Sequence, residues 1–272
     1  MCVHLFCGEI TADCMKEGGF LMDRELITVS SVKEAMSLKN DGSAFFAGGT
    51  EIGHLNSRVQ AERLILLPKE PALTGISEAD GTVRIGALVT FTKALQDPAV
   101  PGYLKEALHF CGSFQKRNMA TIGGNIASWR CDSYLVPTLI AAGAALELSD
   151  NEGCRTMDIA SFARERDSLK DALITAVLVP AGADVLSKRY ANTVESHAYL
   201  TIAMGREGEQ YRIGLAVKGA GIFTPDILNW GITWKQAQVK DDMFGSESYK
   251  RYLTGVTLDD MYEKLSGEGG EK

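Results

Sequence analysis

The sequence lacks the spacings by which most metal sites and nucleophilic enzymes are recognised. Its 6 cysteines include no C-x-x-C pair, and Cys2, Cys7 and Cys14 stand at spacings that match no common metal motif. The 4 histidines are scattered and form no H-E-x-x-H pair, so packing or surface roles are favoured for them. A G-x-S-x-G elbow is also missing. An iron–sulfur cluster held by this chain alone is not expected, and a bound ligand has to bring the chemistry.

An excess of positive charge and a long apolar run are missing as well. The formal net charge of the 272 residues is -7, which argues against nucleic acid as a partner. No apolar run reaches the roughly 18 residues that a membrane helix needs. Residues 1–21 have neither the basic region nor the apolar stretch of a signal peptide. We interpret them as an extension and expect it to be disordered. A cytoplasmic location and no membrane contact follow as expectations.

The first part of the chain has the pattern of a small α/β unit. Short apolar runs predict strands at 26–29, 44–47 and 63–67. Ser31 is the expected N-cap of a helix that extends to residue 39. A second helix is predicted over 51–58. Strands that alternate with helices favour a layered α/β arrangement.

The remainder predicts further helices and strands in a mixed order, which makes the fold class α+β. Strands are expected at 83–87, 144–148, 173–179, 187–191, 200–206 and 211–217. Helices are expected at 92–96, 103–110, 133–143, 159–166, 234–237, 247–253 and 258–265. A linker at 181–184 divides the chain. The predicted domains are 22–181, with subdomains at about 22–75 and 76–181, then 182–266 and a polar tail at 267–272.

The first of two glycine pairs is Gly48-Gly49, followed by Thr50. It follows a predicted strand and precedes a predicted helix, where free backbone N–H groups favour an anion. It is not a P-loop, because the lysine of that motif is missing. A plain turn is the alternative. Glu51 is an awkward neighbour for a phosphate, so we expect its side chain to point away or only its backbone to contribute.

The second pair, Gly123-Gly124, lies between Thr121 and Asn125. Two glycines, a hydroxyl and an amide within five residues suit a loop that approaches a diphosphate closely. A sharp bend between buried segments is the alternative. Asp132 suits a carboxylate that accepts from a ribose or ribityl hydroxyl, or alternatively a helix N-cap. The two glycine pairs together predict one long dinucleotide-like ligand held from two sides.

The glycine segments carry a family resemblance. Over residues 22–265 the chain resembles the flavin-binding (medium) subunits of the molybdenum hydroxylases, the xanthine dehydrogenase and carbon monoxide dehydrogenase group. The resemblance lies in residues 47–51, 85–90 and 117–127, with Asp132 following in place. The run from Arg117 to Asn125 is its most specific part. The sequence departs from the family's Ala-Ser-Pro-Ile-Ser-Asp at Trp129, Arg130 and Cys131.

The resemblance implies a two-subdomain FAD-binding domain of the vanillyl-alcohol-oxidase and xanthine-dehydrogenase type, followed by a small α+β domain. In the family, two glycine loops hold the diphosphate of FAD. The residues implied to bind FAD here are Ala47, Gly48, Gly49, Thr50, Glu51, Ile52, Ala87, Arg117, Asn118, Thr121, Ile122, Gly123, Gly124, Asn125, Asp132 and Lys188. Asn125 and Asp132 would bind near the ribityl or ribose, and Lys188 beside the flavin.

The resemblance also implies partners. Separate subunits would carry iron–sulfur clusters and the molybdenum cofactor, and electrons would pass through FAD to NAD or another acceptor. No residue of this chain is expected to act as a catalytic acid or base. The alternative function is a non-catalytic nucleotide-binding or assembly protein that shares the fold, which the departures at Trp129 and Arg130 motivate.

Overall fold

The computed structural model describes residues 24–53, 57, 59, 61–150, 153–194 and 196–267. Within them the chain forms three sheets, built from twelve strands, and ten α-helices. This mixed architecture confirms the α+β fold class. The predicted extension, residues 1–21, and residues 268–272 of the predicted tail lie outside the described residues.

The first sheet is small and parallel. Its strands are β1 (Glu25–Thr28), β2 (Ser43–Phe46) and β3 (Arg63–Leu66), in the order β1-β3-β2. Parallel strands need a crossover, and α1 (Val32–Leu38) connects β1 to β2, the strands on either side of β3. As expected, Ser31 caps this helix by accepting a hydrogen bond from the Glu34 N–H at 3.1 Å.

The second sheet is antiparallel and contains the largest core. Its strand order is β4-β5-β8-β6-β7. The strands are β4 (Ile76–Ala79), β5 (Thr82–Gly86), β6 (Ala145–Asp150), β7 (Gly153–Asp158) and β8 (Leu173–Pro180). The helices that contact the strands of this sheet directly are α2 (Pro71–Thr74), α6 (Ile122–Ser128) and α8 (Ile159–Glu165). The others, α3 (Phe91–Gln96), α4 (Gly102–His109), α5 (Phe114–Met119) and α7 (Leu135–Ala141), pack against neighbouring helices.

The third sheet packs directly on α7. It consists of β9 (Asp184–Tyr190), β10 (Leu200–Glu207), β11 (Gln210–Val217) and β12 (Gly221–Phe223), in the order β12-β11-β10-β9. Every residue of α7 is buried, as expected of a helix that is apolar all round. Close approach depends on two glycines. A Cβ atom on Gly205 would lie 2.0 Å from the Ala141 carbonyl oxygen, and one on Gly214 would lie 2.3 Å from that of Pro137.

The other face of the third sheet carries α9 (Trp230–Gln236) and α10 (Glu247–Ser266). The prediction of two helices at 247–253 and 258–265 was wrong, because α10 continues through Gly255. Glycine in a helix costs about 1 kcal/mol relative to alanine. Here it leaves room for Trp230, whose ring would lie 3.3 Å from a Cβ at position 255. Tertiary packing therefore overrides the local preference.

Other local predictions need correction where the structure describes the chain. Residues 50–53 form turns, so the predicted helix over 51–58 does not begin at Glu51, and residues 54–56 and 58 lie outside the described ones. Strands β4, β7 and β12 and helices α2, α5 and α6 were not predicted. β9 begins at Asp184, within the predicted linker. The domain boundaries stay a proposal, supported by a separate hydrophobic cluster at each sheet.

Candidate functional site

The two glycine segments lie against each other. A Cβ atom on Gly48 would be 1.8 Å from the carbonyl oxygen of Met119, shortly before the second pair. Only glycine permits that approach. The first sheet and the helices of the second sheet therefore meet where the sequence predicted one ligand held from two sides.

The first glycine segment is a turn and does not begin a helix. It follows β2 directly, and Gly49 has a φ of +70°, a conformation that glycine adopts without strain. The Gly53 N–H donates to the Gly49 carbonyl at 2.8 Å and closes the turn.

The second glycine segment is not a loop but the first turn of α6, which corrects the sequence interpretation. Thr121 is the N-cap, and its hydroxyl oxygen accepts from the Gly124 N–H at 3.1 Å. The Gly123 N–H donates to the Ala87 carbonyl at 2.9 Å, so it is not free. Gly123 is buried, whereas Gly124 is exposed. Of the two glycines, Gly124 is the one that presents its surface to a ligand.

Gly124 lies in the walls of two cavities. The larger has a volume of about 280 Å³, and Thr50, Asn125, Asp132 and Arg189 contribute to its wall. The smaller has about 150 Å³ and a mainly apolar wall, which includes the residues Phe45, Ala47, Leu67, Ala87, Leu88, Gly123 and Gly124. Both are lined by residues from either side of the contact between the glycine segments. A ligand that bends around Gly124 would reach into both cavities.

An arginine links two carboxylates in the wall of the larger cavity. Arg130 Nε and Nη2 each lie 2.9 Å from an oxygen of Asp132, which is a bidentate pair. Its Nη1 lies 3.2 Å from Glu51 Oε2, across the contact between the glycine segments. Glu51 therefore points into the cavity, contrary to expectation. His197 Nδ1 lies 3.5 Å from Asp132 Oδ2 on the other side.

Arg130 lowers the pKa of two titratable groups beside it, Asp132 and His197. Burial alone would raise the pKa of Asp132, but the hydrogen bonds and charge of Arg130 outweigh it and hold that pKa below its ordinary value. Although 59% of the His197 side chain is exposed, its partial burial lowers its pKa, and Arg130 adds to this against the attraction of Asp132. Asp132 is thus ionised and His197 neutral at neutral pH.

Asp132 does not act as the helix N-cap that the sequence left open. The hydroxyl of Ser133 instead accepts from the Val136 N–H at 3.1 Å, at the start of α7. The same hydroxyl donates to Asn125 Oδ1 at 3.2 Å, which fixes the amide of a predicted site residue. Both Asn125 and Asp132 line the larger cavity.

The structure brings about half of the predicted site residues to the two cavities. Those on a cavity wall are Ala47, Thr50, Glu51, Ala87, Gly123, Gly124, Asn125 and Asp132. Those off both walls are Gly48, Gly49, Ile52, Arg117, Asn118, Thr121, Ile122 and Lys188.

Arg117 and Asn118 have structural partners instead. Arg117 Nη1 donates to the carbonyls of His109 and Gly112 at 2.7 and 2.8 Å. The Thr92 hydroxyl donates to Asn118 Oδ1 at 2.6 Å. These contacts hold α5 in place, and the chain passes from α5 directly into the second glycine segment.

Sequence reasoning missed Arg189 and Phe110. The Arg189 guanidinium lies 5.2 Å from the centre of the Phe110 ring, and both residues line the larger cavity. Lys188, the predicted residue, is exposed and lies over Tyr190 at 5.5 Å. Adjacent strand residues point to opposite faces, so only one of the two can face the cavity. The signal available for Arg189 was its place next to Lys188 in the strand predicted at 187–191, because neighbouring side chains of a strand point to opposite faces.

Metal ligands and membrane spans were also examined in the described part of the chain. No group of three or more His, Cys, Asp or Glu side chains there could hold a metal ion. Cys111, Cys131 and Cys154 are free thiols. Among the same residues, none of the helices is both long and apolar enough to cross a membrane.

Comparison with known proteins agrees with the fold and with the glycine segments. The family described as "FAD binding domain in molybdopterin dehydrogenase" matches residues 22–182. The chain is 28% identical over 266 residues to YgfM of Escherichia coli (strain K12), an uncharacterised protein, covering 92% of this chain and 99% of that one. It is 28% identical over 174 residues to the nicotinate dehydrogenase FAD-subunit of Eubacterium barkeri, covering 58% and 59% of the two chains.

A solved structure shares the fold. A chain of the carbon monoxide dehydrogenase from Hydrogenophaga pseudoflava superposes with a TM-score of 0.73 at 22% identity, covering 86% of this chain and 94% of that one. Together, the sheets, the paired glycine segments and the cavities define a dinucleotide-binding flavoprotein module. The chain belongs to the family of FAD binding domains of molybdopterin dehydrogenases. This membership confirms the resemblance and FAD as the cofactor, and makes the chain a flavoprotein subunit of the molybdenum hydroxylase type.

Proposed function

We propose that this chain holds one FAD across both cavities and passes electrons from a partner's iron–sulfur cluster to NAD or another acceptor. The observation that carries the proposal is the position of Gly124, in the walls of two cavities of about 280 and 150 Å³. FAD has two flat ends joined by a diphosphate, which suits two cavities joined at a glycine. The isoalloxazine ring, the larger end, suits the larger cavity, and adenine suits the smaller apolar one.

The walls supply matching chemistry. Gly124 and Thr50 leave space and polar groups for the diphosphate where the cavities join. Asn125 and Asp132 offer an amide and a carboxylate to ribityl or ribose hydroxyls. Arg189 and Phe110 form a flat cationic and aromatic surface suited to a ring system. FAD, when bound, supplies the electron chemistry, and these residues bind, orient and shield it.

Partner subunits are part of the proposal. The described residues hold no set of metal ligands, so clusters and molybdenum would reside in separate iron–sulfur and molybdenum-cofactor subunits. The relative from Eubacterium barkeri is named as an FAD-subunit, which fits a chain that works within such an assembly. The free thiols of Cys111, Cys131 and Cys154 support the cytoplasm as the compartment.

Titration of the purified chain with FAD tests the cofactor site. We expect one FAD per chain, bound without a covalent link and released by acid precipitation, with FMN bound much more weakly because it leaves the smaller cavity empty. Flavin fluorescence and absorbance follow both ligands. A folded chain that binds no FAD would refute the proposal and leave the alternative, a non-catalytic protein of the same fold. Electron transfer is then tested by photoreduction of the FAD form followed by addition of NAD, where reoxidation is expected.

A further inference from the structure

We propose that Arg130 enables FAD binding by offsetting part of the negative charge of Glu51 and Asp132 in the wall of the larger cavity. The inference rests on the proposed function, since FAD is the ligand concerned. Arg130 acts through the two carboxylates and is therefore a positioning and charge-compensating residue, without a contact of its own to the diphosphate.

Its geometry supports that role. All the hydrogen bonds of the Arg130 side chain seen among the described residues go to these two carboxylates, at 2.9, 2.9 and 3.2 Å. Asp132 is reached at both oxygens, and its side chain is only 7% exposed. Glu51 comes from the first glycine turn, 79 residues away along the chain. A single guanidinium thus joins the two glycine segments at the point where they form the cavity.

The charges of the cavity explain why compensation is needed. FAD carries a negatively charged diphosphate, and Glu51 and Asp132 place two carboxylates in the same wall as Gly124 and Thr50. Like charges close together in a partly desolvated site repel strongly. His197, the other neighbour of Asp132, favours its neutral form and supplies no positive charge. Arg189 donates to the carbonyls of Val194 and Ser196 and, among the described residues, to neither carboxylate. Arg130 is therefore the cation paired directly with both carboxylates.

The test compares FAD affinity among matched variants. Arg130→Met should weaken FAD binding at least tenfold, about 1.4 kcal/mol. Lys33→Met is the control, because Lys33 is exposed, lies on neither cavity wall and forms no ion pair seen among the described residues. It removes the same charge and should change the affinity less than threefold. Glu51→Gln combined with Arg130→Met should recover most of the loss, because one of the two repelling carboxylates is gone.

A second comparison does not depend on the stability of Arg130→Met. Glu51→Gln alone removes one of the two carboxylates and leaves Arg130 balanced by Asp132, so FAD should bind two- to tenfold more tightly. Weaker binding would mean that Glu51 itself holds FAD and would overturn the inference. So would an unchanged affinity in Arg130→Met, or a loss that Glu51→Gln does not recover, which would indicate direct contact of Arg130 with the diphosphate. If the wild-type chain binds no FAD, the proposed function fails and this inference falls with it.

Discussion

Gly123 lies so close to Ala87 that a Cβ atom at position 123 would be 2.5 Å from the Cβ of Ala87. The two glycines of this pair therefore have different purposes. Gly123 lets α6 begin against the segment that follows β5, and its N–H donates to the Ala87 carbonyl. Gly124, one residue further, forms part of both cavity walls. Gly123 is thus a packing position that also lines the smaller cavity, whereas Gly124 lines both cavities.

We predict that Gly123→Ala lowers the free energy of unfolding by about 1–3 kcal/mol, the usual range for overpacking a core. The new methyl group has no space, because the Cα and carbonyl oxygen of Ala87 would each lie at 3.0 Å. Urea unfolding of the apo chain measures the change. Ala87→Gly in the same chain should restore much of the loss by removing the opposing methyl group.

The control for this prediction is Gly102→Ala, at the first position of α4. Nothing lies within 4 Å of a Cβ there, and alanine favours a helix by up to about 1 kcal/mol over glycine. This variant should be as stable as the wild type or slightly more so. Equal stability of the wild type and Gly123→Ala would show that the contact with Ala87 is not tight.

The local pattern of apolar runs, turn residues and capping residues was sufficient to predict much of the secondary structure. The strands at 44–47 and 173–179 were predicted within a residue of β2 and β8, because each is a short apolar run that ends at glycine or proline. Ser31 identified the start of α1. Asn125 and Asp132, both predicted as site residues, lie in the wall of the same cavity, and their contact with FAD stays a prediction.

Contacts between distant segments were not predictable in the same way. Local sequence at 121–125 suits a loop, but hydrogen bonds from the Ile122 and Gly123 N–H groups to the distant carbonyls of Val89 and Ala87 hold it as a helix start. Glu51 and Arg130 each looked unfavourable alone, one beside a phosphate site and the other as a departure from the family. Their ion pair explains both, and it depends on how the two glycine segments meet.

Gly48 provides a prediction on ligand binding. Gly48→Ala should weaken FAD affinity at least tenfold, because a methyl group 1.8 Å from the Met119 carbonyl forces the first glycine turn away from the second segment. The comparison variant is Gly42→Ala, in the same part of the chain, where the nearest atom would be Asn40 Oδ1 at 3.6 Å. It should bind FAD as the wild type does. Undiminished affinity in folded Gly48→Ala would mean that the contact of the segments does not shape the site.

A buried lysine provides a prediction on stability. Lys250 is 1% exposed, and its Nζ lies 2.7 Å from Asp242 Oδ1 and 3.0 Å from the Lys240 carbonyl. Asp242→Asn should lower the free energy of unfolding by roughly 2–3 kcal/mol, since it leaves a buried charge unpaired. Lys250→Met should cost about 1 kcal/mol or less, because it keeps the aliphatic volume and leaves the partly exposed Asp242 to water.

The same pair has an expected pH dependence. Burial would raise the pKa of Asp242, but the hydrogen bond from Lys250 and its charge hold it below the ordinary value. A folded-state pKa below the unfolded one gives stability that is present above about pH 4 and is lost as the pH falls through the folded pKa. The stability difference between the wild type and Asp242→Asn should therefore shrink below about pH 4. A difference that stays constant from pH 7 to pH 3 would contradict the ion pair.

The last prediction concerns metal content. Expressed without partner subunits, the chain should contain FAD but no molybdenum, and iron far below one atom per chain. The physical reason is that no three candidate ligands come together among the described residues. Cys2, Cys7 and Cys14 lie outside those residues, so the matched variant replaces all three by serine. Metal analysis by mass spectrometry should give the same low values for both proteins. Iron at cluster stoichiometry in the wild type, lost in the triple serine variant, would place an iron–sulfur cluster in this chain and remove the need for a separate subunit to carry it.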